Sequence, residues 1–176
     1  MDVSKINSLV ELYFKKVEQI DKKKPFLQWL NPKNNHQYNW EEVTEKIYKF
    51  SYKIKSLIKE GDRVLLLSEN RPEWLIADLA IMNAGGITVP IFTTYAERDY
   101  EHILKDCSPS LIIVSDNAQF EKINKFIDNK KIISFEKIKT SSITIENIFN
   151  EEYKKEINNK LNRKLPACII YTSGTS

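Results

Sequence analysis

The chain has 176 residues, of which 27 are lysine or arginine and 24 are aspartate or glutamate, so its net charge is only +3. This length suits one domain or part of a larger one, and 41% hydrophobic residues can form a core. The sequence shows no basic stripe, so we predict no nucleic-acid partner. Residues 1–5 lack the apolar stretch of a signal peptide, and no apolar run approaches the roughly 18 residues of a membrane span. These features predict a soluble, cytoplasmic protein.

The cysteines and histidines do not predict a metal site. Cys107 and Cys168 are far apart and lack CxxC spacing, so neither a disulfide framework nor a metal cluster is indicated. Cys168 lies in an apolar run, and we expect its thiol to be buried. His36 falls in a turn with no second ligand near it, and His102 falls on a helix surface.

The first forty residues predict a helix followed by a hairpin. Apolar residues recur at threes and fours over 4–20, where Ser4 is the candidate N-cap. The helix ends before a proline, and 26–30 and 36–40 are predicted to be paired strands on either side of a turn.

A second amphipathic helix follows the hairpin. Asn39 and Glu42 have the spacing of a capping box at its start. The apolar periodicity continues to about Lys59, and Gly61 is predicted to be the residue that terminates the helix.

Residues 63–91 form the centre of the predicted architecture. The nearly continuous apolar run 63–67 is typical of a parallel strand covered on both faces. The next helix, 73–84, has Asn70 as its candidate cap and is apolar nearly all round, so it should be buried against more than one neighbour. With the strand 87–91 it forms a right-handed βαβ unit. Pro90 should lie at a strand end, an edge or a bulge, because it has no N–H to donate.

The loop after that strand has two interpretations. Thr94, with Glu97 three residues later, can cap a helix over 96–105. The same loop lies at the carboxyl end of a strand, where open α/β sheets bind ligands, so a ligand contact by Thr94 is the alternative.

The alternation of strands and helices continues toward the end of the chain. Strands are predicted at 111–114 and 131–135, with Ser115 or Asp116 capping the helix between them. The charged stretch 151–164 is predicted to be a solvated face or a linker. The repeated alternation predicts an α/β fold, with a doubly wound, mostly parallel sheet and helices on both of its faces.

The chain ends in small hydroxyl residues that follow an apolar run. Residues 167–170 are predicted to be a short buried strand. A hydroxyl-rich loop with a glycine at the end of such a strand can direct backbone N–H groups at a phosphate, although the same composition also suits a surface turn. The loop lacks the glycine–lysine step of a Walker A motif. The candidate ligand-binding residues are Thr172, Ser173, Gly174, Thr175 and Ser176.

Taken in order, the motifs resemble the adenylate-forming (AMP-binding) superfamily, and more narrowly its acyl-CoA synthetases. The matching pieces are Gly61-Asp62-Arg63-Val64, Asn70-Arg71-Pro72-Glu73-Trp74, Asp78-Leu79-Ala80, Gly85-Gly86, Val89-Pro90-Ile91 and the terminal Tyr171-Thr172-Ser173-Gly174-Thr175-Ser176. The second piece resembles the long-chain fatty acid–CoA ligase branch.

The resemblance implies a two-step ligation. A fatty acid carboxylate attacks the α-phosphate of ATP, and the thiol of coenzyme A then displaces AMP from the acyl-adenylate. The loop 172–176 would hold the triphosphate with Mg²⁺ bridging its oxygens, and no catalytic or metal-ligating residue is assigned to this chain. The resemblance makes 1–176 the N-terminal portion of an AMP-binding domain that ends inside the phosphate-binding loop. We therefore expect the chain alone to be inactive.

Two other functions remain open from the sequence. The first is a different adenylate-forming ligase, with an amino acid or an aryl acid as its substrate. The second is a non-catalytic α/β module that binds a nucleotide or a partner. The resemblance allows a peripheral membrane contact in the parent enzyme, and it predicts neither an oligomeric state nor an acyl chain length.

Overall fold

The computed structural model describes residues 3–30, 35–127, 131–140 and 142–172. Its helices are α1 (Leu9–Glu18), α2 (Trp40–Lys55), α3 (Pro72–Asn83), α4 (Glu97–Cys107), α5 (Asn117–Ile123) and α6 (Ile145–Asn150). Its strands are β1 (Pro25–Trp29), β2 (His36–Asn39), β3 (Arg63–Leu67), β4 (Ile87–Ile91), β5 (Leu111–Val114), β6 (Lys131–Ser134) and β7 (Ile143–Thr144). The predicted order of elements is confirmed from α1 to β6, whereas β7 is a short strand that the sequence did not predict.

The central sheet has the strand order β4-β3-β5-β6-β7, and each of these strands is parallel to its neighbours. The chain runs from β3 outward to β4, then crosses back over β3 to β5 and continues in the other direction. The strand order therefore reverses between β3 and β5, as in a doubly wound fold. β1 and β2 form a separate antiparallel pair.

Two hydrophobic cores cover the faces of the sheet. Val64 and Leu66 of β3 point into the first core, which also receives residues of α1, α2, α3 and α6. Leu65 and Leu67 point into the second core, beneath α4 and α5. All four side chains are fully buried. The alternation explains why β3 is apolar at every position, because both of its faces lie under helices.

The predicted N-cap of α2 is present in the structure, whereas the N-caps of α1 and α3 lie at a different residue from the predicted one. The capping box of Asn39 and Glu42 is present at the start of α2. The cap of α1 is Ser8 rather than Ser4, because Ser4 lies in a preceding 3-10 turn. The cap of α3 is Arg71 rather than Asn70, because the residue before Pro72 is forced into an extended conformation.

Two further boundaries differ from the prediction. α2 ends at Lys55, four residues earlier than predicted, so Gly61 does not terminate it; Gly61 instead has a φ of 81° in the turn that leads into β3. The N-cap of α4 is Ala96 rather than Thr94, and the Asp99 carboxylate accepts the Ala96 N–H at 3.1 Å.

The segment 151–166, called the crossing segment below, lies over α2 and α3. Most of its side chains are exposed, as predicted, but it is fastened to the helices. The buried side chain of Asn83 donates to the Glu156 carbonyl at 2.9 Å and accepts the Asn158 N–H at 3.0 Å. It also donates to the Ser51 hydroxyl at 2.8 Å. The Asn83 amide therefore pairs with the backbone on both sides of Ile157, as a neighbouring strand would.

The segment 167–172, called the edge segment below, lies outside β4. It makes a single parallel bridge, in which Thr88 donates to the Ala167 carbonyl and accepts the Ile169 N–H. The predicted buried strand is wrong here, since Cys168 is exposed and Ile170 is 63% exposed. The reason is position: the segment lies at the margin of the described sheet, where no described element covers its outer side.

Candidate phosphate-binding site

The candidate site lies at the carboxyl edge of the parallel sheet. Because the edge segment is parallel to β4, its end at Thr172 lies at the same edge as the loop that follows β4. Parallel sheets of this type bind ligands at that edge. Thr172 is exposed at this edge. The other predicted site residues, Ser173, Gly174, Thr175 and Ser176, lie outside the described residues.

Tyr171 is held at two points immediately before Thr172. Its backbone carbonyl accepts a hydrogen bond from the Tyr95 hydroxyl at 2.9 Å, and its own hydroxyl donates to the Asp106 carboxylate. Burial raises the pKa of Tyr171, and the hydrogen bond to Asp106 raises it further. The hydroxyl therefore stays protonated and remains a donor at neutral pH.

The loop after β4 is itself fixed to α4 and α5. The Tyr100 hydroxyl donates to the Phe92 carbonyl at 3.0 Å, and Lys122 donates to the Thr93 carbonyl at 2.6 Å. Thr94, the alternative ligand contact of this loop, is exposed and is not a helix cap. Tyr95, which reaches Tyr171, is the functional candidate that the sequence did not single out. A tyrosine four residues after a strand end carries no motif of its own.

The loops after β3, β5 and β6 are joined by charged and polar side chains. Arg71 has little exposed surface and donates to Glu73 at 2.8 Å and to Glu136 at 2.9 Å. Its guanidinium also lies 4.6 Å from the centre of the Trp29 ring. Burial lowers the pKa of Arg71, but the hydrogen bonds to the two glutamates outweigh it, so the net shift is upward. This network ties the start of α3 to the sheet edge.

In the parts of the chain that the structure describes, neither a candidate metal cluster nor a candidate membrane-spanning helix occurs. There, no cluster of three or more histidine, cysteine, aspartate or glutamate side chains is arranged to hold a metal ion. Within the same ranges, no helix is both long and apolar enough to cross a membrane.

The fold and the site define an open, doubly wound α/β domain with a hydroxyl-bearing segment at its ligand-binding edge. The chain belongs to the AMP-binding enzyme family, whose profile matches residues 14–176. That family comprises adenylate-forming ligases, as the resemblance in the sequence implied.

Individual relatives support the same family, and each match covers only part of the relative's length. The chain is 27% identical over 139 residues to the Long-chain-fatty-acid–CoA ligase ACSBG1 of Homo sapiens, a match that covers 70% of this chain and 19% of that protein. It is 28% identical over 157 residues to ACSBG2 of Xenopus laevis, covering 78% of this chain and 21% of that protein. The chain thus spans about a fifth of the length of these relatives.

A solved structure shows the same fold. The anthranilate CoA ligase AuaEII, in complex with anthranoyl-AMP, matches with a TM-score of 0.83 and 20% identity. That match covers all of this chain and 35% of the other. At this identity the likeness bears on the fold alone.

Proposed function

We propose that this chain is the N-terminal part of an ATP-dependent acyl-CoA synthetase that activates a fatty acid through acyl-AMP. The observation that carries the proposal is the position of Thr172. It is the first residue of the hydroxyl-rich motif, it is exposed, and it follows a segment fixed at the carboxyl edge of the parallel sheet in a chain of the AMP-binding enzyme family.

The residues present fit a phosphate ligand as far as the structure describes them. Thr172 offers a hydroxyl and a backbone N–H at the open edge, and both are donors that phosphate oxygens accept. In this proposal Thr172, Ser173, Gly174, Thr175 and Ser176 hold the triphosphate. Mg²⁺ would supply positive charge that offsets the charge of the phosphates, and no residue of this chain is assigned to hold it.

ATP supplies an activated phosphorus, and coenzyme A supplies the thiol that takes the acyl group. The contribution of this chain is binding and orientation: its donors hold the phosphate oxygens in place and offset their charge. No covalent bond to the chain is needed. Because the chain contributes only part of such a site, we expect the 176-residue protein alone to release no pyrophosphate.

A fatty acid is the proposed substrate because the long-chain fatty acid–CoA ligases match over most of the chain. The alternative is another adenylate-forming ligase, with an amino acid or an aryl acid as its substrate. A cytoplasmic location and a peripheral membrane contact remain predictions. Oligomeric state is not part of the proposal.

The test uses the parent enzyme, expressed with the chain that continues this sequence. We expect pyrophosphate and AMP to be released from ATP only when a carboxylic acid is present, with Mg²⁺ required and a fatty acid as the best acid. Coenzyme A should be required to complete the reaction. Pyrophosphate release that does not depend on any acid would refute the proposed function.

The phosphate role is tested by Thr172→Val in the same parent enzyme. This change keeps the shape of the side chain and removes the hydroxyl, so the adenylation rate should fall about 10–1000-fold, the range for losing one or two charge-assisted hydrogen bonds. The matched control is Thr140→Val, at another exposed threonine, in the loop after β6. Equal rates in the two variants would mean that Thr172 belongs to a surface turn.

A further inference from the structure

Among the described residues, the edge segment pairs with the backbone of β4 at a single bridge, although its apolar sequence is typical of a full strand. In a strand, the N–H and C=O of one residue point to the same side, and the side alternates along the chain. Thr88 points outward to the edge segment, whereas Ile87 donates inward to Asp62, so Pro90 must also point outward. Pro90 has no N–H, so the ladder of hydrogen bonds loses a donor at the next outward-pointing residue beyond Thr88.

Two side chains hold the edge segment beyond that bridge. Tyr95, on the loop after β4, donates to the Tyr171 carbonyl at 2.9 Å. Asp106, near the end of α4, accepts the Tyr171 hydroxyl. The Tyr95 ring is itself packed edge-on against Phe92, with ring centres 5.3 Å apart. Tyr95, Asp106 and Tyr171 are called the loop anchor below.

The bond from Tyr95 fixes the direction of the next N–H group. The peptide between Tyr171 and Thr172 is planar, and the peptide bonds of the described residues are trans. In a trans peptide the C=O and the N–H point in opposite directions. Since the Tyr171 carbonyl points at Tyr95, the Thr172 N–H points away from Tyr95.

We propose that Tyr95 and Asp106 are positioning residues that orient the Thr172 N–H as a donor to a phosphate oxygen. The phosphate part of this inference rests on the proposed function; the orienting part does not. Neither side chain is expected to touch the ligand. Both act through Tyr171, which places the first donor of the loop before any ligand arrives.

The experiment measures the backbone order of Thr172 in the ¹⁵N-labelled 176-residue protein by NMR relaxation. Tyr95→Phe keeps the ring and removes the hydroxyl, and Asp106→Ala removes the acceptor. In both variants the Thr172 order parameter should fall from about 0.8 to below about 0.6, the values for rigid and flexible backbone. Asp106→Asn keeps an acceptor for the Tyr171 hydroxyl and should restore the order.

The matched control is Tyr13→Phe. Tyr13 also loses a hydroxyl bond, to Thr44 at 2.9 Å, but it lies in the core on the other face of the sheet. Tyr13→Phe should leave the order parameter of Thr172 unchanged, so a general loss of stability cannot account for a fall in Tyr95→Phe. An unchanged order parameter in Tyr95→Phe, or an equal fall in Tyr13→Phe, would overturn the positioning role.

A titration with inorganic tripolyphosphate separates this inference from the proposed function. The wild-type Thr172 amide signal should shift, and Tyr95→Phe should weaken the apparent affinity about 3–10-fold, as expected for one oriented hydrogen bond. No shift in the wild type would refute the phosphate role of the loop, while the order parameters would still decide the anchor. A shift with equal affinity in both proteins would refute the phosphate part of the inference.

Discussion

Replacing Asn83 with alanine should destabilise the protein by detaching the crossing segment. Asn83 is only 5% exposed and makes three hydrogen bonds of 2.8–3.0 Å to Ser51, Glu156 and Asn158. A net contribution of about 1 kcal/mol for each bond gives an upper value of about 3 kcal/mol. Water can reach Glu156 and Asn158 more easily than Ser51, so we expect a loss of about 2–3 kcal/mol.

The assay is urea unfolding followed by circular dichroism, with thermal unfolding as a second measurement. For a chain of this size the expected loss corresponds to a fall in Tm of about 4–12 °C. Asn162→Ala is the matched control, because Asn162 is exposed and its side chain bonds to the backbone of Lys160 and Lys164, two positions away on either side. The control should change stability by no more than about 0.5 kcal/mol.

A second variant separates the loss of hydrogen bonds from the loss of volume. Asn83→Asp keeps the acceptor for the Asn158 N–H and places a carboxylate against the Glu156 carbonyl, which was bound by the amide nitrogen. It should be at least as destabilising as alanine, because a buried carboxylate oxygen then faces the Glu156 carbonyl oxygen with no proton between them. If Asn83→Ala unfolds within about 0.5 kcal/mol of the wild type, water replaces the amide and the reasoning is wrong.

Two other predictions concern the first core. Trp74 is half-buried against this core. Trp74→Ala should therefore lower the free energy of unfolding in urea by about 2–3 kcal/mol, which is less than the cost of removing a fully buried tryptophan. A loss below about 0.5 kcal/mol would mean that the contacts of Trp74 are not stabilising. Burial raises the pKa of Tyr13 to about 12. Since an unfolded tyrosine titrates at about pH 10, the stability that comes from the raised pKa is complete below that pH and is lost as the pH rises toward the folded value, by about 1.3 kcal/mol between pH 9 and pH 11. Tyr13→Phe should lack this part of the loss when unfolding is compared at pH 9 and pH 11, and identical pH dependence in the two proteins would contradict it.

Much of the fold could be predicted from the sequence because the periodic signals were strong. The strand 63–67 and the helix around Ile76 and Ala80 are almost wholly apolar, and both lie in the core. The capping box at Asn39 was also predictable, since it depends on two residues only three positions apart. Where one proline dictates the backbone, as at Arg71, the predicted cap was one residue away from the true one.

The edge of the sheet was less predictable, because burial there depends on what lies alongside. The apolar run ending at Ile170 has the pattern of a buried strand, yet it makes only one bridge and stays largely exposed. The contacts of Tyr95 and Asn83 join residues 76, 73 and 75 positions apart, and no local pattern predicts them. The first residue of the candidate loop was predicted, but the side chains that hold it were not.

The proline in β4 also governs what can pair with this protein. An open parallel strand offers a row of unpaired donors and acceptors to any extended chain, including a second copy of itself. Pro90 removes one donor from that row, so an incoming strand finds a broken ladder two residues beyond Thr88. Within the loop anchor, Tyr95 binds the backbone carbonyl of residue 171, which any residue offers, whereas Asp106 accepts the hydroxyl of the Tyr171 side chain. The outer edge of β4 therefore favours a partner with a tyrosine at that position, because a strand without one would lose the Asp106 bond and keep only the bridge and the bond from Tyr95.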